Sequence, residues 1–258
     1  MKISLIISTY NKPQYLSCCL KSISGLNEFP DELIIADDGS GEETLKLIEK
    51  FRGETNMPVY HVWQEDNGFR LARSRNNAIL RSSGDYLIFI DDDIILHPEF
   101  IKDHRRFAQK GCLYCGSRVR LNPKKTTDVM KFNNFKFTIL TSGLQSRENV
   151  VRIPFLHKII KGQGYTYKRL RGCHLAFWKE DLKRVNGFDE RYTGWGYEDS
   201  DLVMRMIHAG VKRVNLKWVA LCYHLYHPVK QTTSPNIEML FEVIRDKSIR
   251  SHIGLDQH

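Results

Sequence analysis

The chain has 258 residues, 41% hydrophobic and 27% charged, which suits one large α/β domain or two small ones. It shows no repeats or low-complexity tracts, and no apolar run approaches the ~18 residues that a membrane span needs. The net charge of +9 favours anionic partners such as nucleotide phosphates, nucleic acid or an anionic membrane face. That charge is uneven: between Arg118 and Arg171 thirteen Lys or Arg stand against two acids, Asp128 and Glu148.

Ile3-Ser4-Leu5-Ile6-Ile7-Ser8 reads as a first buried strand. A turn follows at Thr9-Tyr10-Asn11-Lys12-Pro13, with Asn11 a candidate helix cap and Pro13 an early helical position. Leu16, Leu20 and Ile23 then recur at helical spacing until Gly25. Leu33-Ile34-Ile35-Ala36 is a second strand that runs into Asp37-Asp38-Gly39-Ser40, and Leu45, Ile48 and Phe51 mark the next helix. Val59 to Trp63 is a third strand, and Leu71 to Arg81 a helix whose polar face carries Arg73, Arg75, Asn76 and Asn77. Tyr86-Leu87-Ile88-Phe89-Ile90 is a strand apolar enough to be buried on both faces, and it runs straight into Asp91-Asp92-Asp93. This alternation predicts right-handed βαβ units and a parallel sheet. Such sheets bind ligands outside the carboxyl ends of their strands, so the acids that end the second and fourth strands should meet on one rim.

His97-Pro98-Glu99-Phe100 opens a helix to about Lys110. From Cys112 the alternation decays, and residues 124–127 and 141–149 read as loops. Phe132, Phe135 and Phe137 beside Lys131 and Lys136 form a basic-aromatic patch. It is compatible with reading single-stranded nucleic acid, with a membrane- or acceptor-facing surface, or, by default, with the core of a small subdomain. Order returns with a strand at Gly172 to Trp178, a short helix at Lys179 to Val185 and a turn at Asn186-Gly187-Phe188-Asp189. Gly194-Trp195-Gly196-Tyr197-Glu198-Asp199 leads into a helix from Ser200 to Ala209, ended by Gly210. Trp218 to His224 is a last strand, with His227 just beyond it. Ile237, Leu240, Phe241 and Ile244 form the stripe of a C-terminal amphipathic helix, which either docks on its own domain or lies on a membrane.

The six cysteines sit mostly in apolar runs, and nothing before the first strand has the pattern of a secretory signal, so free thiols in a reducing cytosol are expected. Cys112-Leu113-Tyr114-Cys115 is a lone C-x-x-C; a structural zinc site normally shows two close ligand pairs.

Adjacent carboxylates repel each other and persist at a strand end where something cationic holds them. Manganese or magnesium takes carboxylate and diphosphate oxygens and tolerates an imidazole, so Asp93 with one of His224 and His227 is a candidate metal site. Such a metal gives Lewis-acid help to a departing diphosphate. Arg75 is a candidate phosphate contact, and Asp38 a candidate acceptor for a nucleobase N–H. Asp199, at a helix start with Glu198 beside it, is a candidate general base. Plainer roles exist for each: Glu198 and Asp199 as partners of the helix dipole, His224 as a core histidine, Arg75 as a solvated helix charge. Their shared placement on strand ends and helix starts favours one site.

Ile6-Ile7-Ser8-Thr9-Tyr10-Asn11 with Ala36-Asp37-Asp38-Gly39-Ser40 resembles the opening of glycosyltransferase family two. Asp66-Asn67-Gly68-Phe69-Arg70 through Arg75-Asn76 resembles that family's next block, and Asp91-Asp92-Asp93 its D-x-D metal motif. Gly187-Phe188-Asp189 to Gly194-Trp195-Gly196-Tyr197-Glu198-Asp199 is similar to the acceptor-side motif of its chondroitin-synthase and galactosyltransferase-like members. The four blocks cover about residues 3–110 and 172–228 and stand in the family's order.

The resemblance implies an α/β GT-A fold, a single Rossmann-like nucleotide-binding domain with a mostly parallel central sheet and a C-terminal acceptor-binding part. Residues 1–110 would be the nucleotide-sugar-binding half, 111–228 the acceptor-binding and catalytic half, and 229–258 a C-terminal helix and tail. It implies inverting transfer from a UDP-sugar with manganese or magnesium. By motif position Ser8, Tyr10, Asp38 and Arg75 surround the nucleotide, and Asp91 and Asp92 touch the ribose and sugar. Asp93 holds the metal with His224, or with His227 as second choice. Trp195 and Gly196 line the sugars with Glu198, and Asp199 is the base. Segment 112–171 matches no motif and is where acceptor specificity is expected. The expected acceptor is a glycan or glycolipid of a bacterial surface polysaccharide, lipopolysaccharide, lipooligosaccharide or capsule. The enzyme would be cytosolic, held at the anionic inner membrane face by the basic segment and the C-terminal helix, with no nucleic-acid partner. The rivals are a metal-dependent nucleotidyltransferase or nuclease, and a non-catalytic nucleotide- or glycan-binding module.

Overall fold

The structure, a computed structural model, describes residues 1–159, 163–168, 170–228 and 235–258. Its first part alternates as the apolar pattern dictates: β1 (Ile3–Thr9), α1 (Pro13–Ser24), β2 (Glu32–Asp37), α2 (Glu42–Glu54), β3 (Val59–Trp63), α3 (Leu71–Arg81) and β4 (Tyr86–Asp91). The four strands pair in parallel in the order β3-β2-β1-β4. Every β1 side chain is buried because helices cover both faces. Ile3, Leu5 and Ile7 pack with Leu16 and Leu20 of α1 and Ile48 of α2, while Ile6 packs with Ala72 and Ile79 of α3.

Beyond β4 follow β5 (Ile94–Leu96), α4 (Phe100–Phe107), β6 (Cys112–Gly116), β7 (Val119–Leu121), α5 (Pro123–Phe132), β8 (Leu144–Gln145), α6 (Pro154–Ile159) and β9 (Gln163–Gly164). The chain ends with β10 (His174–Trp178), α7 (Lys179–Arg184), α8 (Glu198–His208), β11 (Lys212–Leu216), β12 (Cys222–His224) and α9 (Ile237–Asp246). β10 inserts antiparallel between β4 and β6, β11 runs parallel to β6, and β9 closes antiparallel on β11, giving an eight-stranded, mostly parallel mixed sheet. β5, β12, β7 and β8 form a second, four-stranded sheet.

The later half holds more structure than its sequence pattern suggests. β6 extends the main sheet where the alternation decays, and β11, which the sequence pattern does not mark, pairs with it. Residues 124–127 are the first turn of α5, not a loop: Pro123 starts the helix and Asn122 Oδ1 accepts from Lys125 N at 2.8 Å. The last strand is only Cys222–His224, because Trp218 (φ 65) and Ala220 (φ 46) are left-handed. Of most consequence, the chain turns at the triple Asp and β5 pairs antiparallel with β12, setting His224 opposite Ile94. The C-terminal end of β4 and the end of β12 thereby meet.

Phe135 and Phe137 pack against the core of the second sheet, and Phe132 is exposed. α9 docks on the domain, with Leu240 and Val243 against Met204 of α8. All six cysteines are buried free thiols. Among the described residues no helix is long and apolar enough to cross a membrane. Residues 160–162 and 169, within segment 112–171, and 229–234, at the start of the C-terminal part, lie outside the described residues.

Candidate active site

The ends of β1, β2 and β4 gather the acids on one rim. Asp37 and Asp38 are neighbours with different roles. Asp37 braces its own turn, with Oδ1 accepting from Ser40 N at 2.8 Å and Oδ2 2.8 Å from His61 Nε2. Asp38 accepts from Gln64 Nε2 at 2.5 Å and Arg70 N at 2.7 Å, while burial pushes its carboxyl up. Gly39 has φ +100, and a Cβ there would stand 2.5 Å from Asp66 Cα, so only glycine lets these loops close on each other. Tyr10 donates to Asp66 Oδ2 at 2.9 Å, which joins the β1 turn to the same wall.

Arg75 lies at the centre, 2% exposed. Its Nε donates to Ser8 Oγ at 3.1 Å, Nη2 to Asp91 Oδ1 at 3.2 Å and Nη1 to Glu198 Oε1 at 3.2 Å. Its guanidinium carbon lies 5.4 Å from the centre of the Phe188 ring. Four of the residues singled out in the sequence are thus one network, buried except where Asp91 reaches the rim. A phosphate contact by Arg75 requires that one of these bonds be exchanged.

Asp92 and Asp93 face other partners. Asp92 is buried and accepts from Thr9 Oγ1 at 2.8 Å; burial, then the charge of Asp93, pushes its carboxyl up to about 8. Asp93 is buried between two imidazoles, with His227 Nε2 3.1 Å from Oδ2 and His224 Nε2 3.5 Å from Oδ1. Ligand atoms from all three lie within 4.8 Å of one another, and Oδ1 is a buried oxygen with no hydrogen-bond donor. Burial lowers His224 to about 4, keeping it neutral, whereas its hydrogen bond to Asp93 raises His227. One carboxylate, with an orphaned oxygen, and two imidazoles fit a divalent cation. The sequence left the histidines as alternatives; the fold brings both to Asp93.

Glu198 and Asp199 are the first two residues of α8. The turn before them is held left-handed at Gly194 (φ +76), Gly196 (φ +99) and Tyr197 (φ 74), so two of its positions favour glycine. Asn236 Nδ2 fastens it by donating to Thr193 O at 3.1 Å and Gly196 O at 3.0 Å, and Gly194 N donates to Phe69 O at 2.9 Å. Trp195 sits in this turn, 58% exposed. Burial, then the charge of Asp199, pushes Glu198 to about 7. Asp199 Oδ1 accepts from Ser200 N at 2.6 Å and Ser200 Oγ at 3.1 Å. Its Oδ2 packs on Gly172, where a Cβ would stand only 2.2 Å away.

Two residues of this site carry no motif. Arg118 donates to Cys173 Sγ at 3.2 Å, and its charge acts on Asp91, Asp93 and His224. Its only signal in the sequence is that it opens the basic segment. Gly172, the floor under Asp199, reads as nothing more than the start of a strand.

A parallel sheet with carboxylates along its rim, closed by a mixed second half, is the GT-A fold of glycosyltransferases. The sequence profile of glycosyl transferase family 2 matches residues 4–161, and that of the N-terminal domain of galactosyltransferase matches residues 157–228. The chain belongs to glycosyl transferase family 2. It is 25% identical over 270 residues to validoxylamine A glucosyltransferase of Streptomyces hygroscopicus subsp. limoneus, covering 98% of this chain and 57% of that one. It is 25% identical over 250 residues to chondroitin synthase of Escherichia coli, covering 89% of this chain and 35% of that one. The chain therefore spans little more than half of the first relative and about a third of the second. Staphylococcus aureus TarS 1–349 in complex with UDP-GlcNAc superposes with a TM-score of 0.67 at 19% identity, covering 99% of this chain and 69% of that one. A mannosyltransferase from Pyrobaculum calidifontis in complex with GDP-Man and Mn2+ gives 0.63 at 16% identity, covering 95% and 64%.

Proposed function

We propose that the chain transfers a sugar from a UDP-sugar, with inversion, to a hydroxyl of a bacterial surface glycan or glycolipid, at a site that takes manganese or magnesium. The observation that carries this reading is Arg75, which ties Ser8 and Asp91 at the strand ends to Glu198 beside Asp199. Donor-binding and bond-forming groups then share one rim. The complexes of TarS with UDP-GlcNAc and of the mannosyltransferase with GDP-Man and Mn2+ support a nucleotide sugar and a metal. Residues 1–110 serve the donor, 111–228 the acceptor and the chemistry, and 229–258 the C-terminal end. The acceptor is met at the anionic inner face of the membrane.

In this reading Ser8, Tyr10 and Asp38 frame the nucleotide, and Asp91 and Asp92 the ribose and sugar. Asp93, His224 and His227 would hold the metal, which supplies Lewis-acid neutralisation of the departing diphosphate when bound. Arg118 adds a fixed positive charge beside them. Asp199 takes the proton of the acceptor hydroxyl while that oxygen bonds to the anomeric carbon and UDP departs. Asp199 suits the task better than Glu198, which is buried and already hydrogen-bonded to Arg75. Trp195, with Gly196 and Glu198, offers a ring face and turn for the sugars.

A thermal-shift screen of nucleotide sugars with manganese, followed by release of UDP without acceptor, tests this reading. UDP-sugars should raise Tm, and Asp93→Ala should abolish both the shift and the hydrolysis. No shift with any nucleotide sugar, together with steeply salt-dependent nucleic-acid binding, would instead favour a nucleotidyltransferase or nuclease.

A further inference from the structure

Leu140, Tyr165, Phe155, Phe132 and Ile159 are the five most exposed large apolar side chains among the described residues. All five fall between Arg118 and Arg171, the segment with thirteen Lys or Arg against two acids. Exposed apolar surface of this kind marks a binding face, and the surrounding charge selects an anionic partner.

α5 and the loop after it put both properties in one place. α5 ends at Phe132, 66% exposed, and Asn133 stops it in the left-handed conformation (φ 51). Phe137 then pins the loop to the second sheet by packing on Tyr223, with ring centres 4.2 Å apart. Beyond this pin a turn closes, with Thr141 N donating to Thr138 O at 3.0 Å and Thr138 N to Thr141 Oγ1 at 2.9 Å. That turn lifts Ile139 (51% exposed) and Leu140 (87%) into solvent. Lys124 and Lys131 on α5 and Lys136 in the loop are exposed, and Lys125 lines a groove with Asp128, Val129, Phe132 and Asn134.

We propose that this loop docks the protein on an anionic lipid bilayer, with Ile139 and Leu140 entering the interface and the lysines meeting the headgroup phosphates. The proposal rests on the preceding reading, in which the acceptor is met at a membrane face, and it names the surface that meets it. An aliphatic pair at the tip of a turn suits acyl chains rather than nucleobases, and of Phe132, Phe135 and Phe137 only Phe132 is exposed. The flanking lysines find their complement in anionic headgroups. The other amphipathic element, α9, has Leu240 and Val243 packed on α8. Tyr223, which pins the loop, immediately precedes His224 in β12, so the docking loop and one residue of the proposed metal site are carried by the same short strand.

The test is sedimentation of the full chain with vesicles of phosphatidylglycerol and phosphatidylethanolamine, against vesicles of phosphatidylcholine alone, at low and high salt. Binding should require the anionic lipid and weaken with salt. The double substitution Ile139→Ser, Leu140→Ser should weaken it by about tenfold or more. Lys131→Ser or Lys136→Ser should each weaken it by about fivefold. The thermal shift of the same variants with UDP and manganese should match wild type, which separates lost docking from lost fold. A missing shift in wild type would fail the donor-site reading and leave the vesicle result to stand alone. Three outcomes would overturn the docking proposal: no sedimentation of wild type, sedimentation unchanged in the double variant, or preferential binding of single-stranded nucleic acid that survives it.

Discussion

Arg75 reaches Glu198 across 123 residues of sequence, Nη1 to Oε1 at 3.2 Å, while its other nitrogens hold Ser8 and Asp91. The guanidinium is 2% exposed, so this is a buried network and not a surface pair. Removing one partner from such a network leaves a buried charge uncompensated, at a cost of about 3–5 kcal/mol. Asp91 is partly solvated at the rim, which places Arg75→Met toward the lower end of that range. Arg75→Lys should recover only part of the loss, since a compact ammonium does not replace a planar fork aimed at three acceptors. Thermal or denaturant unfolding measures this; an Arg75→Met variant as stable as wild type would leave the network without energetic weight.

The cluster of Asp93, His224 and His227 makes a prediction about metal choice. Magnesium prefers oxygen ligands, and two imidazoles disfavour it relative to manganese, so Mn2+ should bind tighter by on the order of tenfold. His224→Ala and His227→Ala should each weaken Mn2+ by about tenfold or more in calorimetric titration. Unchanged affinity in His227→Ala would mean that Asp93 and His224 suffice.

The first half of the chain is legible in the sequence because its signals are local. Tyr86 to Ile90 is continuously apolar since both faces of β4 are covered, and the acids follow within the same few residues. The second half is less legible because its signals are not local. Cys112 finds its partner at Lys212, and β11 reads as Lys-Arg-Val-Asn-Leu, hardly a buried strand. Arg213 is buried there because its Nη1 donates to Lys168 O at 3.0 Å, a compensation that no periodicity reveals. α5 hides behind Lys-Lys-Thr-Thr, although Asn122-Pro123 is a readable start signal. Within the site, Glu198 and Asp199 stand in a motif, whereas Arg118 and Gly172 matter only through contacts with distant side chains.

Glu198 makes stability depend on pH in a direction unusual for an acid. Burial, then the charge of Asp199, lifts its carboxyl from 4.5 to about 7. The folded chain therefore binds this proton more tightly than the unfolded chain does. Its contribution is fully present below 4.5 and is lost as pH rises through about 7. Glu198→Gln removes the titration and keeps an oxygen to accept from Arg75. The variant should flatten the decline in stability between about pH 5 and pH 8, measured by denaturant melts at several pH values. Parallel curves for variant and wild type would mean that Glu198 titrates in the ordinary range.

Gly172 gives a way to move the proposed base without changing its chemistry. A Cβ added there would stand 2.2 Å from Asp199 Oδ2, so the carboxylate must swing away. The group displaced is the end of a side chain, and the fold should survive with a small change in Tm. A shift of about 1 Å in a catalytic group costs about 10²-fold in rate, so Gly172→Ala should lower kcat by that order with donor KM unchanged. Asp199→Asn should lower kcat by about 10² to 10⁴. If glycine acts only by leaving room for Asp199, the double variant Gly172→Ala, Asp199→Asn should be no slower than Asp199→Asn alone. Steady-state kinetics on the four proteins decides the matter. Additive losses would detach Gly172 from the base, and full activity in Asp199→Asn would remove Asp199 from that role.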